Sequence, residues 1–198
     1  MTLSERLRTS VEGIVIGGSA GGVEALSLLL PALPARLRPA VFIVIHQPRE
    51  PPGPLAAIFC DKCTVQVREA EDKEKVSPGV VYFAPPDYHL LIDAGPQLAL
   101  SADEPVQLSR PSIDVLFESA AEVYGPRLMG VVLTGASQDG AQGLAAVQRC
   151  GGITVVQHPA SARAEVMPVA ALRRTPADFV LALEELAALF RTLPRASA

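Results

Sequence analysis

The segment Ile14-Val-Ile-Gly-Gly-Ser-Ala-Gly-Gly22 runs an apolar β-branched triplet into a glycine-rich turn with a serine at its centre. Two chemistries use a strand that ends this way. One is a phosphate cradle, in which glycines let backbone amides and a helix N-terminus approach an anion. The other is a nucleophile elbow, G-x-S-x-G, which Gly17, Ser19 and Gly21 fit. Its glycines relieve the steric conflict of a strained turn that holds the serine hydroxyl above the sheet edge. A dinucleotide fingerprint would need glycine where Ser19 stands, and its second strand should end in an acidic residue for the ribose. Here that strand ends in Ile45-His46. A glycine turn with no chemical role is the plain structural alternative.

A serine hydroxyl is a poor nucleophile unless a base takes its proton, and the base needs an acid that fixes its tautomer. In a parallel sheet all strands end on one edge, so residues that follow strands meet there despite wide separation in sequence. Ser19 follows the first apolar run, His46 the second, and Asp139 follows the run that ends in Leu133-Thr134. Asp139 also reads as the N-cap of the helix that its glycine-bounded loop opens. His158 follows the run Ile153 to Val156 and competes with His46 as base; spacing leaves both open. His89, beside an expected hairpin, reads as a structural hydrogen-bonding histidine. Cys60-x-x-Cys63 has no second ligand pair for zinc and precedes an alternating segment rather than opening a helix, so it reads as packing. With Cys150 the three cysteines make no fully paired disulfide framework.

The elements that must hold these groups are legible as short apolar runs with helical stretches between them. Ile14 to Ile16, Val41 to Ile45, Met129 to Leu133 and Ile153 to Val156 show little alternation, as strands of a parallel sheet covered on both faces do. A helix is expected over 22–30, with Val23, Leu26 and Leu30 on one face and Pro31 ending it. A second is expected over 112–124, capped by Ser112 and stopped at Gly125-Pro126. A third runs from about 140 to 149, and a last carries Leu183, Leu186, Ala187 and Phe190. Thr64 to Val67, Val80 to Phe83, His89 to Ile92 and Gln97 to Leu100 read as strands without helices between them, with a hairpin turn at Ala94-Gly95-Pro96. Glu69 to Lys75 reads as a solvated connection.

The chain of 198 residues suits one domain, residues 1–198, at about 150 residues per domain. Hydrophobic residues make up 49% and charged ones 19%, which excludes a disordered tail or charged coiled coil. A net charge of −4 removes the electrostatic footprint of a nucleic-acid binder. The polar start and the lack of an apolar run of about 18 residues give neither signal peptide nor membrane insertion, and the expected location is cytoplasmic.

Six segments in register make the chain recognisable. Ile14 to Gly22, Val67 to Asp72, Ala84 to His89, Arg110 to Phe117, Gly130 to Gly135 and Gln138 to Gly140 resemble, in order and spacing, the catalytic domain of the CheB chemotaxis protein-glutamate methylesterases, over about residues 11–190. The resemblance implies a doubly wound α/β domain with a mainly parallel sheet, helices on both faces and an antiparallel hairpin. It implies a Ser19–His46–Asp139 triad, which selects His46 over His158, and no metal or organic cofactor. It further implies hydrolysis of glutamate γ-methyl esters, and deamidation of glutamines, on the cytoplasmic helices of chemoreceptors. Three departures from the family pattern stand out. Ala20 replaces a common threonine, leaving the Ala20 amide as the expected oxyanion donor. Ala136-Ser137 replace a Met-Gly, so a sulfur beside the site is lost and loop shape at Ala136 is altered. Only a short stretch precedes Ile14, where chemotaxis members carry a receiver domain, so activity independent of phosphodonors is expected, or control by a separate regulatory protein, or a sequence that is one piece of a longer protein. A catalytically silent binding module in a signalling complex is the competing reading.

Overall fold

The computed structural model describes residues 2–47 and 54–196. In chain order these form α1 (Leu3–Thr9), β1 (Gly13–Gly18), α2 (Gly22–Leu29), β2 (Ala40–Ile45), α3 (Leu55–Phe59), β3 (Val67–Glu69), β4 (Val81–Phe83), β5 (His89–Asp93) and β6 (Gln97–Ser101). Then follow α4 (Ile113–Tyr124), β7 (Leu128–Val132), α5 (Ala141–Arg149), β8 (Ile153–Gln157), α6 (Val166–Arg174), β9 (Phe179–Leu181) and α7 (Leu183–Arg191). Seven strands form one sheet in the order β3-β4-β2-β1-β7-β8-β9, every pair parallel. β5 and β6 form a separate antiparallel hairpin.

The side-chain period of two explains why the central strands are apolar throughout. Ile14, Ile16, Val41, Ile43, Met129 and Val131 enter one core, under α2, α3 and α7. Val15, Phe42, Val44 and Val132 enter the other, under α4, α5, α6 and the hairpin. From β1 the chain builds outward through β2 to β4 and β3, then returns to the opposite side of β1 with β7. Reversal of strand order there opens a crevice at the carboxyl ends of β1 and β7.

Doubly wound α/β architecture, helices on both faces and the hairpin are as the sequence implied. Some elements differ. Val81 to Phe83 joins the parallel sheet between β2 and β3. The strand expected from Thr64 starts at Val67, where the chain first meets a neighbour, Val81. α1, α3, α6 and β9 were not legible: α3 has five residues, β9 has three, and α6 carries Pro168 in its first turn. Among the described residues no helix is long and apolar enough to cross a membrane.

Candidate active site

Ser19 leaves the end of β1 in a tight turn whose backbone is tied on both sides. Its amide donates to the Thr134 carbonyl at 2.9 Å, and its own carbonyl accepts the Gly22 amide at 2.8 Å. The Thr134 hydroxyl, itself buried, donates to the Ala20 carbonyl at 2.8 Å. Gly21 closes the turn at φ +84°, a conformation costly to residues with a β-carbon. α2 begins directly after it with no side-chain cap. Ala20 is exposed, and among the described residues no acceptor takes its N–H. An uncapped helix start with a free amide beside a hydroxyl is suited to receive negative charge.

His46 stands at the end of β2, one strand away, its amide bonded to the Gly18 carbonyl at 3.0 Å. Its Nε2 meets Asp139 Oδ2 at 2.9 Å. Ser19 and His46 both line a cavity of about 620 Å³, whose other wall is Val23, Leu55, Ala57 and Ile58. The structure therefore brings Ser19, His46 and Asp139 to one sheet edge, with His46 bonded to Asp139 and sharing a cavity with Ser19.

Asp139 is fully buried, yet each carboxylate oxygen accepts two hydrogen bonds. Oδ1 takes the Ser112 hydroxyl and the Asp114 amide, both at 2.9 Å. Oδ2 takes the Ile113 amide at 2.7 Å besides His46. Burial alone would raise the pKa of this carboxyl, but the bonds from His46 and from the amides of Asp114 and Ile113 outweigh it and hold the pKa below the ordinary value. Two expectations are corrected here. Ser112 does not cap α4 with its side chain, because its hydroxyl goes to Asp139. Asp139 does cap a helix, but the helix is α4, and not α5, whose N-cap is Gly140.

Asp114, in the first turn of α4, was not singled out from the sequence. Its Oδ1 accepts the amides of Gly140 at 2.9 Å and Gly143 at 2.7 Å, at the start of α5. Its Oδ2 accepts Gln107 Nε2 at 2.6 Å. Burial first, then the charge of Asp139, pushes this carboxyl up to about 6 against the pull of the Gly143 and Gly140 amides. The two helices touch closely at Gly143, where a side chain would meet Phe117 Cβ at 2.5 Å and the Asp114 α-carbon at 3.0 Å. The signal in the sequence was the segment Arg110 to Phe117, whose Ser112 and Asp114 both serve this cluster.

The remaining candidates separate cleanly. His158 is exposed, and its Nδ1 accepts the Ala160 amide at 3.2 Å at the start of a short helical turn, away from the bridging position beside Asp139. His89 is buried; its Nδ1 accepts the Ser112 amide at 3.1 Å and its Nε2 bonds the Glu104 carbonyl at 3.2 Å, so it steadies the start of α4. Ala136 is exposed on the loop between β7 and α5. A sulfur is nonetheless present beside the site: a side chain at Gly135 would meet Met167 Sδ at 2.8 Å and Ser19 Cβ at 3.0 Å. Met167, buried at the start of α6, reaches from a different element the neighbourhood that the loop leaves without a methionine. Cys60 is exposed with its thiol on the Val67 carbonyl, and burial raises the pKa of Cys63, the reverse of an activated thiolate.

Comparison with known proteins places this arrangement among relatives. A family model described as CheB methylesterase matches residues 14–190. A Leptospira interrogans relative, provisionally named a protein-glutamate methylesterase/protein-glutamine glutaminase, is 48% identical over 179 residues, which are 90% of this chain and 93% of that protein. An Anaeromyxobacter dehalogenans protein of the same enzyme name is 41% identical over 178 residues, 89% of this chain. The chain spans about half of that relative, 51% of its length. The crystal structure of the Thermotoga maritima CheB methylesterase catalytic domain superposes with a TM-score of 0.84 at 33% identity, over 91% of this chain and 100% of that one.

Proposed function

The chain belongs to the CheB methylesterase family, and on that premise we propose that it hydrolyses glutamate γ-methyl esters on the cytoplasmic helices of chemoreceptors, and deamidates glutamines there. Ser19 is the nucleophile, His46 the general base and Asp139 the group that orients His46. Nε2 of His46 is engaged by Asp139, so Nδ1 is the nitrogen that takes the serine proton. Ser19 Oγ attacks the γ-carbonyl carbon as its proton passes to Nδ1. The resulting oxyanion rests on the Ala20 amide at the uncapped start of α2, where charge developing in the transition state is stabilised by a donor already in place. His46 then returns the proton to the departing methanol, or to ammonia from a glutamine. Water, deprotonated by the same nitrogen, releases the glutamate from the acyl-enzyme. The imidazolium formed in each half-reaction faces a carboxylate held ionised by four donors.

The observation that supports this reading most is the bond between His46 and the saturated, buried Asp139 at the edge where Ser19 follows β1. Mass spectrometry of methylated receptor-helix peptides, before and after incubation, reads substrate and activity together. Loss of 14 Da per ester is expected. A fluorophosphonate probe should label wild type and not Ser19→Ala; no labelling at Ser19 would turn the reading to a silent binding module.

A further inference from the structure

Asp139 and Asp114 exchange helix caps. An acidic residue at a helix start ordinarily serves the amides of its own first turn. Here Asp139, which leads into α5, takes the amides of Ile113 and Asp114 at the start of α4. Asp114, inside the first turn of α4, takes the amides of Gly140 and Gly143 at the start of α5. The backbone of each helix start is thereby fastened to the carboxylate of the other. Gly140 directly follows Asp139, so the bond from its amide to Asp114 anchors the residue adjacent to the acid. Both side chains are buried, Asp114 at 4% exposure, and among the described residues no ion pair to a cation joins Asp114, while the charges of Asp139 and Glu118 both bear on it unfavourably.

From this exchange we propose that Asp114 is a positioning residue for the reaction: by capping α5 it fixes the loop that carries Asp139, and through Asp139 it sets the orientation of His46. The inference rests on the assignment of Ser19, His46 and Asp139 proposed above. Among the described residues no hydrogen bond joins Asp114 to His46; the Asp114 carboxylate acts through the Gly140 amide on the backbone that carries Asp139, and the Asp139 carboxylate passes the effect to His46. A slide of α4 against α5 would stretch both sets of amide bonds together and move Asp139 Oδ2 from its 2.9 Å contact with Nε2. Catalytic groups need placement to about 0.5 Å, which one-sided capping of a loop does not supply. The third bond of Asp114, from Gln107, extends the same fixing to the turn at Gln107 and Leu108. Both residues lie at positive φ, 48° and 64°, closed by paired backbone bonds between Val106 and Ser109. Leu108 of that turn lines the cleft on the far side of His46.

The test is a double-mutant cycle on the whole chain, read by turnover of a methylated receptor peptide and by the His46 ring nitrogens in ¹H–¹⁵N NMR. Asp114→Ala should lower kcat about 10- to 100-fold with KM within about twofold, the scale of a misplacement below 1 Å. The same variant should shift the His46 spectrum away from the single Nε2–H tautomer. Asp114→Asn, whose amide oxygen still accepts both glycine amides, should keep more than about a third of the rate, and it serves if the alanine variant folds poorly. In an Asp139→Asn background the loss caused by Asp114→Ala should vanish, because the two act as a unit. An unmoved His46 spectrum in Asp114→Ala, a loss as large in Asp114→Asn, or full additivity in the cycle overturns the proposal. The NMR readout decides it even where no peptide is turned over, which separates its failure from failure of the proposed function.

Discussion

The two walls on either side of His46 are built by different physics. Towards α4 and α5 the wall is polar and closed: two buried carboxylates receive seven hydrogen bonds, mainly from helix-start amides. Towards α2 and α3 it is apolar and open: Val23, Leu55, Ala57 and Ile58 border a cavity of about 620 Å³. Hydrogen bonds are directional and fix angles, whereas apolar contact fixes only proximity. The polar wall is thus suited to hold the His46 ring in one orientation. The apolar wall is suited to accept a side chain delivered on another protein's surface.

Substitutions can break this contrast. On the proposed mechanism, the largest effects come from Ser19→Ala and His46→Ala, each expected to lower turnover by at least about 10³-fold in steady-state assays without unfolding the domain; the melting temperature should hold in Ser19→Ala and fall in His46→Ala, which takes a donor from the buried Asp139 carboxylate. Asp139→Asn should cost nearly as much turnover and also destabilise the fold, by about 2–4 kcal/mol in denaturant titration. Each oxygen of Asp139 accepts a backbone N–H, so either orientation of an asparagine turns its NH₂ towards a backbone donor. Equal stability of Asp139→Asn and wild type would show that the polar wall does not depend on this carboxylate.

The next effect concerns pH. The Asp114 carboxyl rises from 3.8 to about 6 on folding, so between these values the folded chain binds the proton more tightly than the unfolded chain. Ionisation of Asp114 therefore removes stability as pH rises through that window, on the order of 2–3 kcal/mol in full. Asp114→Asn should gain on wild type from pH 4 to 7 and then keep a constant lead; a lead that shrinks with rising pH would reverse the sign. Such a variant, steadier at neutral pH and still turning over, would show that the charge of Asp114 costs stability while its acceptor oxygen supplies the placement. The smallest effect is expected on the apolar wall. Ile58→Glu, at a residue 40% exposed, should raise KM for a receptor peptide roughly 10-fold while changing kcat less, as loss of apolar contact does without reorienting the base.

Much of the architecture was legible because it rests on local patterns: β-branched runs for β1, β2, β7 and β8, and the i, i+3, i+4 repeat of α4. Placement of Ser19, His46 and Asp139 on one edge followed from each standing after a parallel strand, but the same rule admitted His158, and only the family resemblance chose His46. What stayed hidden was non-local. Ser112 looked like a cap because caps are read three residues ahead, whereas its hydroxyl crosses to Asp139, 27 residues on. Asp114 was not singled out, because its partners lie 26 and 29 residues away. β4 reads as a strand, but its three residues carry no sign that they pair in parallel with β2 and β3. The methionine missing from the Ala136 loop was visible, but not the one that α6 brings to Gly135.

The exchanged caps also bear on the order in which chain and chemistry come into being. Each of α4 and α5 gives two amides of its start to a carboxylate that leads or opens the other, with β7 laid down between them. A nascent or partly unfolded chain holding β1 and β2 would own Ser19 and His46 but no saturated carboxylate to align the ring. On the proposed mechanism, ester cleavage would then begin only when the last of these pieces docks.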